Sequence, residues 1–504
     1  MDTQASYDGL AAQTVRGSVY SIAASGVTLL LGFGRSVLMA RLLVPEDFGV
    51  VAFALTFLNF TAPLRDFGLD QALIHRQTGE ASSLDDELAV HFTLRLILTG
   101  LFVSVLLIVA LVLRRFYPQK PLLVPVLLAL TIGEVAAALG ATPTTYLRRE
   151  MRFGDLAVLR VLTSTSMTIV GPLMAWQGWG VWALVGERIS GVIVATLVVW
   201  VVMRPWRPAI RFDKGLATWY VNYGKFVFTT LSLERVLDEF DDFWIGTKSG
   251  PLALGYYSKA YELALYPRRV ISEPIANVVL PVFARLQSDR LQLSRAYFRF
   301  SSLVARVAFL FAGPFVLVAN EFVRLFLGDR WVPMVATFLL MVVYVLLDPL
   351  LIVGAKLAQA VGRPDFWTRS RLIQSVFFVP AVIIGHRIWG INGVAIATDI
   401  GMLIGLVMLF SQNRELVDVS FKRMFGFPIL ALLLGGGVSF YLSSIWAFDS
   451  QLAGAVFKIL VCVCVYLLVL LVTEFKDYKV YVAMIWNLLN VRKDTRKSIA
   501  GQNE

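Results

Sequence analysis

The chain has 504 residues, of which 57% are hydrophobic and 16% charged, with a formal net charge of +11. A soluble domain carries roughly 25% charged residues, so this composition excludes an ordinary water-soluble fold and points to a chain that lies mostly in lipid. The basic residues are scattered between apolar runs, which gives nucleic-acid binding no support and suits anionic lipid headgroups instead.

A spanning helix needs about 20 mostly apolar residues, and the pattern predicts about fourteen of them. The fold class expected is therefore an all-α integral membrane protein, since unbroken runs satisfy their backbone groups internally as helices. The first span, Val19–Ala40, carries Ser21, Ser25, Thr28, Gly32 and Arg35 on one stripe. That stripe is either a small-residue packing seam or a cavity wall ending in an arginine. The first residues show no small-residue cleavage pattern, so this run reads as a true span. The second, Phe48–Leu64, ends in Pro63-Leu-Arg65-Asp66-Phe-Gly68-Leu-Asp70. Arg65 and Asp66 there fit an interfacial helix end or a cavity site. Leu88–Leu113, Leu122–Ala141, Leu156–Trp176 and Val181–Met203 follow, with Arg95, Glu134, Arg160, Glu187 and Arg188 as isolated intramembrane charges. A short basic linker, Arg204–Gly215, holds Pro205 and Pro208.

The seventh span, Tyr223–Ile245, is barely apolar: Glu234, Arg235, Asp238, Glu239, Asp241 and Asp242 lie within nine residues. Arg235 has acids at i+3 and i+4, where internal neutralisation is available. The eighth, Leu254–Val279, repeats the theme with Lys259, Glu262, Tyr266, Arg269 and Glu273 on one stripe, and with Pro267 and Pro274 placed to kink it. Charges at mid-bilayer cost roughly 2.5–3.5 kcal/mol each on the gentlest scale, so these two helices must line water or pair with one another. Tyr297–Val318, Val332–Leu357, Leu372–Ile388 and Val394–Phe410 complete a second set of six, with Arg306, Asp348, Lys356 and Asp399 inside them. Phe425–Ile445 and Leu452–Val472 are very apolar, and Gly435-Gly-Gly437 suits close helix packing. Cys462 and Cys464 sit two apart on different helix faces and read as small buried hydrophobes rather than a disulfide or metal pair.

One pattern occurs twice. Arg41-Leu-Leu-Val-Pro-Glu-Asp-Phe-Gly49 closes one apolar run, and Gly246-Thr-Lys-Ser-Gly-Pro-Leu-Ala-Leu-Gly255 closes another about two hundred positions on. Asp155, Arg160 and Ser164 then correspond to Asp365, Arg371 and Ser375, and Glu187 to Asp399. Such weak internal symmetry marks duplicated transporter halves. Each half holds an even number of helices, so the repeat is parallel and the expected architecture is two six-helix lobes around a central cavity plus two extra C-terminal helices. The expected boundaries are 1–210, 211–411, 412–475 for the added helices and 476–504 for a tail. Basic residues concentrate in the even loops and both tails, which places both termini in the cytoplasm. His75, His91 and His386 are far apart with no recurring acid or nucleophile, and no Gly-rich loop with Lys-Ser/Thr is present. No catalytic residue, metal or cofactor is expected.

These residues give the chain a resemblance to the polysaccharide transporter family of the multidrug/oligosaccharidyl-lipid/polysaccharide superfamily, the O-antigen and exopolysaccharide repeat-unit flippases. It rests on Ala40-Arg-Leu-Leu-Val-Pro-Glu-Asp-Phe-Gly49, Asp66-Phe-Gly-Leu69, Gln71-Ala-Leu-Ile-His-Arg76, Leu254-Gly-Tyr-Tyr-Ser-Lys-Ala260, Pro281-Val-Phe-Ala-Arg285 and Phe326-Leu-Gly-Asp-Arg-Trp331. The resemblance covers the first twelve spans. It implies a bacterial inner-membrane protein that carries an undecaprenyl-diphosphate-linked glycan outward by alternating access and hands it to polymerase and export machinery. Arg35 and Arg65 stand where related flippases carry arginines, and Lys259, Arg268 and Arg269 add cations from the eighth span. These five are the expected substrate-binding residues, because a diphosphate in lipid needs fixed cations and Arg binds it bidentately. Trp219, Tyr220, Tyr223, Tyr256, Tyr257, Tyr261 and Tyr266 are candidate glycan faces or an ordinary interfacial belt. Glu234, Arg235, Asp238 and Asp241 are a possible ion-coupling site or lobe ion-pair network, and they make the expected cavity mixed in charge. A cation-coupled multidrug antiporter of the same superfamily is the rival transporter, and a membrane polysaccharide polymerase, which would need a larger outer loop, is the rival of another class.

Overall fold

The computed structural model describes residues 2–76, 83–266, 273–418, 420–446, 448 and 450–474. The described elements are helical: α1 (Asp2–Leu42), α2 (Pro45–Asp66), α3 (Leu69–His75), α4 (Leu84–Phe116), α5 (Leu123–Arg149), α6 (Phe153–Trp176), α7 (Val181–Leu197), α8 (Lys214–Lys248), α9 (Gly250–Ala264), α10 (Glu273–Leu286), α11 (Arg290–Phe322), α12 (Val335–Ala360), α13 (Asp365–Asn413), α14 (Phe421–Ile445) and α15 (Gln451–Thr473). Eleven stretches are long and apolar enough to cross a membrane. One of them, α13, is two helices: Trp389 leaves helical geometry and Gly390 takes a φ of +58°, at the boundary expected between Ile388 and Val394. α8 is too charged to count among them, and α9 and α10 fall in the stretch expected as the eighth span, with residues 267–272 outside the described residues. With these the fourteen expected spans are accounted for. The described residues are those of a multi-pass, all-helical membrane protein.

The helix starts follow their sequences. Ser83, Asp213 and Ser450 each accept a hydrogen bond from the first-turn backbone of α4, α8 and α15, and Asp289 does the same for α11. These side chains satisfy amides that lack a partner inside the helix. Pro45 occupies the first turn of α2, where its missing N–H costs nothing.

Close contacts divide the chain into two compact units. The first takes residues 1–259, 326–334 and 375–394; the second takes 260–325, 335–374 and 395–504. In the first unit Leu69, Leu73, Leu88, Phe92 and Tyr220 form a core that also buries Trp206 of the Arg204–Gly215 linker. The linker is docked rather than loose: Arg211 N donates to Thr93 Oγ1 at 3.1 Å and its guanidinium pairs with Asp86. The second unit packs Phe283, Tyr297, Phe300, Leu350, Leu357, Phe366, Leu406 and Phe410 together. There the α14–α15 hairpin is fastened to α11 by Arg306–Glu474 and by Lys458–Glu321, both at 2.5–2.6 Å. Tyr466 Oη donates to Arg306 O at 2.9 Å. Cys462 is buried, and Gly435 lies against its carbonyl.

The two copies of the repeated motif meet inside the first unit. A Cβ on Gly49 would stand 2.5 Å from the Pro251 carbonyl carbon and 2.9 Å from Gly255 N. A Cβ on Gly255 would stand 2.7 Å from the Pro45 carbonyl carbon and 3.3 Å from Gly49 N. Each glycine is therefore needed by the other copy's backbone. Trp331 closes the same joint: it is fully buried, its ring meets Phe48 edge-on at 5.2 Å, and its Nε1 donates to Ala40 O at 2.8 Å.

Candidate functional site

The site builds from a turn in the first unit. α2 ends at Asp66, and Phe67 (φ +38°) and Gly68 (φ +70°) redirect the chain into α3. The turn is pressed against α8, where a Cβ on Gly224 would stand 2.7 Å from the Phe67 ring. It brings Asp66, on one helix, and Asp70, on the next, to the same guanidinium. Arg95 of α4 reaches Asp66 Oδ1 at 3.0 Å with Nη1 and pairs with Asp70 through Nη2. Nη1 also donates to Arg65 O at 3.3 Å. Arg65 shares Asp66 Oδ1 at 3.1 Å, pairs with Glu134 of α5, and lies over the Phe102 ring.

These groups open onto a cavity of about 260 Å³. Its other walls are made by small residues, Ala137, Ala138, Gly140 and Ala141 of α5 with Ala195 and Thr196 of α7. Gly140 of α5 lies against Thr196 of α7, whose Oγ1 donates to Ala136 O at 3.0 Å, so small residues hold the two helices close. Arg148 lines it too and is exposed. Behind Asp70, His91 is fully buried, with Nδ1 2.9 Å from Thr142 Oγ1 and Nε2 3.4 Å from Asp70 Oδ1. One turn earlier on α4, Glu87 is fully buried between Arg76 at 2.9 Å and Arg149 at 3.0 Å. Guanidinium groups presented at a polar cavity with competing carboxylates suit an anion that exchanges, since phosphate oxygens accept from Arg in paired, charge-assisted bonds.

The sequence-predicted residues fall in several places. Arg65 lines the cavity. Arg35 pairs with Glu187 of α7 through Nε at 2.9 Å, and its Nη1 is buried with no hydrogen-bond partner among the described residues. Lys259 is only 2% exposed and turns onto α1, donating to Ser36 Oγ at 2.7 Å with its ammonium 4.7 Å from the Phe48 ring centre. Arg268 and Arg269 lie outside the described residues. Among the α8 acids, Glu239 and Asp241 are the buried ones. Glu239 Oε1 accepts from Asn59 of α2 at 2.8 Å, and Asp241 Oδ2 accepts from Tyr257 of α9 at 2.6 Å. Glu234 and Arg235 are half-buried and Asp238 is exposed.

Several charges expected to be isolated are paired, because lipid offers them nothing else: Arg95, Glu134, Glu187 and Arg306 all have partners. The aromatic residues do not form one platform. Trp219, Tyr220 and Tyr223 gather with His75 and Arg76, Tyr256 and Tyr257 lie by the repeated motif, and Tyr261 belongs to the second unit. Tyr220 and Tyr257 are buried and offer no face to a sugar. Sequence reasoning missed Arg148, which reads as part of the basic collar, and His91, whose acid lies on another helix. The visible signal for Arg148 is its i+4 spacing from Thr144 at the end of a run of small residues.

Residues 38–336 match the family described as polysaccharide biosynthesis protein. The chain is 24% identical over 462 residues to the lipopolysaccharide biosynthesis protein WzxC of Escherichia coli (strain K12), with 88% of each protein covered. It is 27% identical over 298 residues to the succinoglycan biosynthesis transport protein ExoT of Rhizobium meliloti (strain 1021), covering 56% of this chain and 57% of that one. Its fold is similar to that of the lipid II flippase MurJ in an inward closed conformation, with a TM-score of 0.72 at 15% identity over 92% of this chain and 99% of the other. It is also similar to an inward-facing multidrug resistance MATE family transporter of the MOP superfamily, with a TM-score of 0.62 at 15% identity over 79% and 97%. The matched stretch is more than half of the chain and holds the repeated motif, the α2–α3 turn and all the cavity residues: the chain belongs to the polysaccharide biosynthesis protein family.

Proposed function

We propose that this protein is a flippase that moves an undecaprenyl-diphosphate-linked oligosaccharide repeat unit across a bacterial inner membrane by alternating access. The product would pass to polymerase and export machinery for exopolysaccharide, capsule or O-antigen. The observation that carries the reading is the cavity in which Arg65, Arg95 and Arg148 meet: fixed guanidinium groups among spanning helices are what a diphosphate in lipid requires. The names of the relatives, WzxC and ExoT in polysaccharide synthesis and MurJ as a lipid II flippase, support the cargo class. Both termini and the Arg204–Gly215 linker are assigned to the cytoplasm from the loop charges.

The test is export in a deletion strain carrying variants. Arg65→Ala or Arg35→Ala should abolish polymer export with protein levels retained. Lys at either position should restore part of it, because charge remains without the fork. Full export by both Ala variants removes these arginines from the mechanism. Lipid-linked units should accumulate on the inner leaflet of the deletion strain; accumulation on the outer leaflet would identify a polymerase instead.

A further inference from the structure

The carboxylates of the cavity are more open than the arginines they hold. The side chains of Asp66 and Asp70 are 36% and 30% exposed, whereas those of Arg65 and Arg95 are 17% and 3% exposed. Asp66 Oδ1 accepts from both guanidinium groups, from Arg65 Nε at 3.1 Å and Arg95 Nη1 at 3.0 Å, and Asp70 takes Arg95 Nη2. The two acids stand on different helices, α2 and α3, and the turn at Phe67 and Gly68 fixes both at one guanidinium. Arg95 Nε is buried with no hydrogen-bond partner among the described residues, so this guanidinium keeps a donor that its carboxylates do not use. Glu134 occupies Arg65 in turn. The arginines of the lining, Arg65, Arg95 and Arg148, are matched in number by Asp66, Asp70 and Glu134. An anion that arrives therefore meets carboxylates first and no net positive charge.

We infer that Asp66 and Asp70 set an entry threshold: they keep the phosphodiester headgroups of the surrounding bilayer out of this cavity and admit an anion able to displace them from Arg95 and Arg65, the diphosphate of a lipid-linked glycan. This rests on the proposed diphosphate cargo. Any anion that engages these guanidinium groups must first separate them from their carboxylates, and that cost is the same whichever anion enters. What differs is the return. A phosphodiester is a monoanion on a single phosphorus. A diphosphate carries more charge on two linked groups, so it can bridge Arg95 and Arg65 and recover more charge-assisted bonds. A common cost lowers both affinities by one factor, yet it brings only the weaker anion below its concentration in the membrane. Obstruction of this kind is a source of specificity where attraction alone does not suffice, and phosphodiester lipids greatly outnumber any single lipid-linked cargo. The displaced carboxylates remain beside the arginines and retake them when the anion leaves.

The full chain is placed in nanodiscs of phosphatidylcholine, alone or with phosphatidylglycerol, and titrated at one pH with farnesyl diphosphate and with inorganic pyrophosphate. Phosphatidylglycerol also repels these probes at the disc surface, so the reading is the difference between proteins. Asp66→Asn and Asp70→Asn keep an acceptor oxygen for Arg95. Each should bind farnesyl diphosphate more tightly than wild type in phosphatidylcholine, by about tenfold or more. Each should lose much of that gain with phosphatidylglycerol present, because its headgroup now competes. In wild type, dihexanoyl phosphatidylglycerol added to phosphatidylcholine discs should not displace farnesyl diphosphate; displacement there overturns the threshold without recourse to any variant. Variants that bind no more tightly than wild type, or that respond to phosphatidylglycerol as wild type does, also overturn it and leave the flippase reading standing. Tighter binding of the farnesyl compound than of pyrophosphate supports a lipid cargo, and equal binding overturns the lipid part of the assignment. Failure of wild type to bind either anion overturns the diphosphate cargo itself, and the threshold with it.

Discussion

Replacing Gly49 by Ala isolates the joint between the two motif copies. The added methyl would stand 2.5 Å from the Pro251 carbonyl carbon and 2.9 Å from Gly255 N, whereas carbon atoms pack comfortably at about 3.5–4.0 Å. Both obstacles are backbone, so no side chain can swing aside. α2 and α9 must separate by about 1 Å to restore ordinary spacing, which loosens the edge-on contacts of Trp331 with Phe48 of α2 and Tyr256 of α9. Overpacking of this kind costs about 1–3 kcal/mol. Gly34 provides the opposite case, since nothing lies within 4 Å of a Cβ there. Gly34→Ala should be neutral or stabilising, by up to about 1 kcal/mol from helix propensity. The assay is thermal unfolding of the detergent-solubilised protein by size-exclusion fluorescence. The expected pattern is a lowered transition for Gly49→Ala and for Gly255→Ala, and an unchanged or raised one for Gly34→Ala. Equal behaviour of Gly34→Ala and Gly49→Ala would refute the close approach.

Two further outcomes follow from other contacts. Arg306→Met and Glu474→Gln each leave a buried charge without its partner and should cost about 3–5 kcal/mol, while the double variant should cost less than their sum; strictly additive losses in thermal unfolding would show that this pair does not fasten α15 to α11. A single cysteine at Arg207→Cys, in a chain lacking Cys462 and Cys464, should resist impermeant maleimide in intact cells and react after permeabilisation; labelling of intact cells would reverse the assigned orientation.

The helices were legible from the sequence because lipid imposes one demand, a long apolar run, and Val19–Ala40 or Leu452–Val472 meet it without ambiguity. The break at Trp389–Gly390 was legible too, since Gly is the residue that takes a positive φ without strain. The cavity was half legible. A charge at mid-bilayer announces that it has a partner but not which one. Arg65 could be singled out, yet its pairing with Glu134 and its sharing of Asp66 with Arg95 depend on how three helices meet. Lys259 shows the converse: a helical stripe placed it among candidate cavity cations, but its ammonium is buried on Ser36 of α1. His91 was passed over because its acid lies twenty-one positions away on another helix, a separation that sequence spacing cannot translate into 3.4 Å.

The joint around Gly49 also bears on synthesis. Chain growth at about 5–20 residues per second delivers Pro251 roughly 10–40 seconds after Gly49 has left the ribosome. Trp331, whose indole donates to Ala40 across 291 positions, comes later still. Throughout that interval α1 and α2 sit in the bilayer with the Ala40 carbonyl and the glycine notch unfilled. The nascent protein therefore needs a lateral shelter, from the insertion machinery or from neighbouring helices, until the second motif copy arrives. A message truncated before Gly250 would yield spans that insert but never finish packing, and such fragments should be substrates for membrane quality-control proteases rather than half-sized transporters.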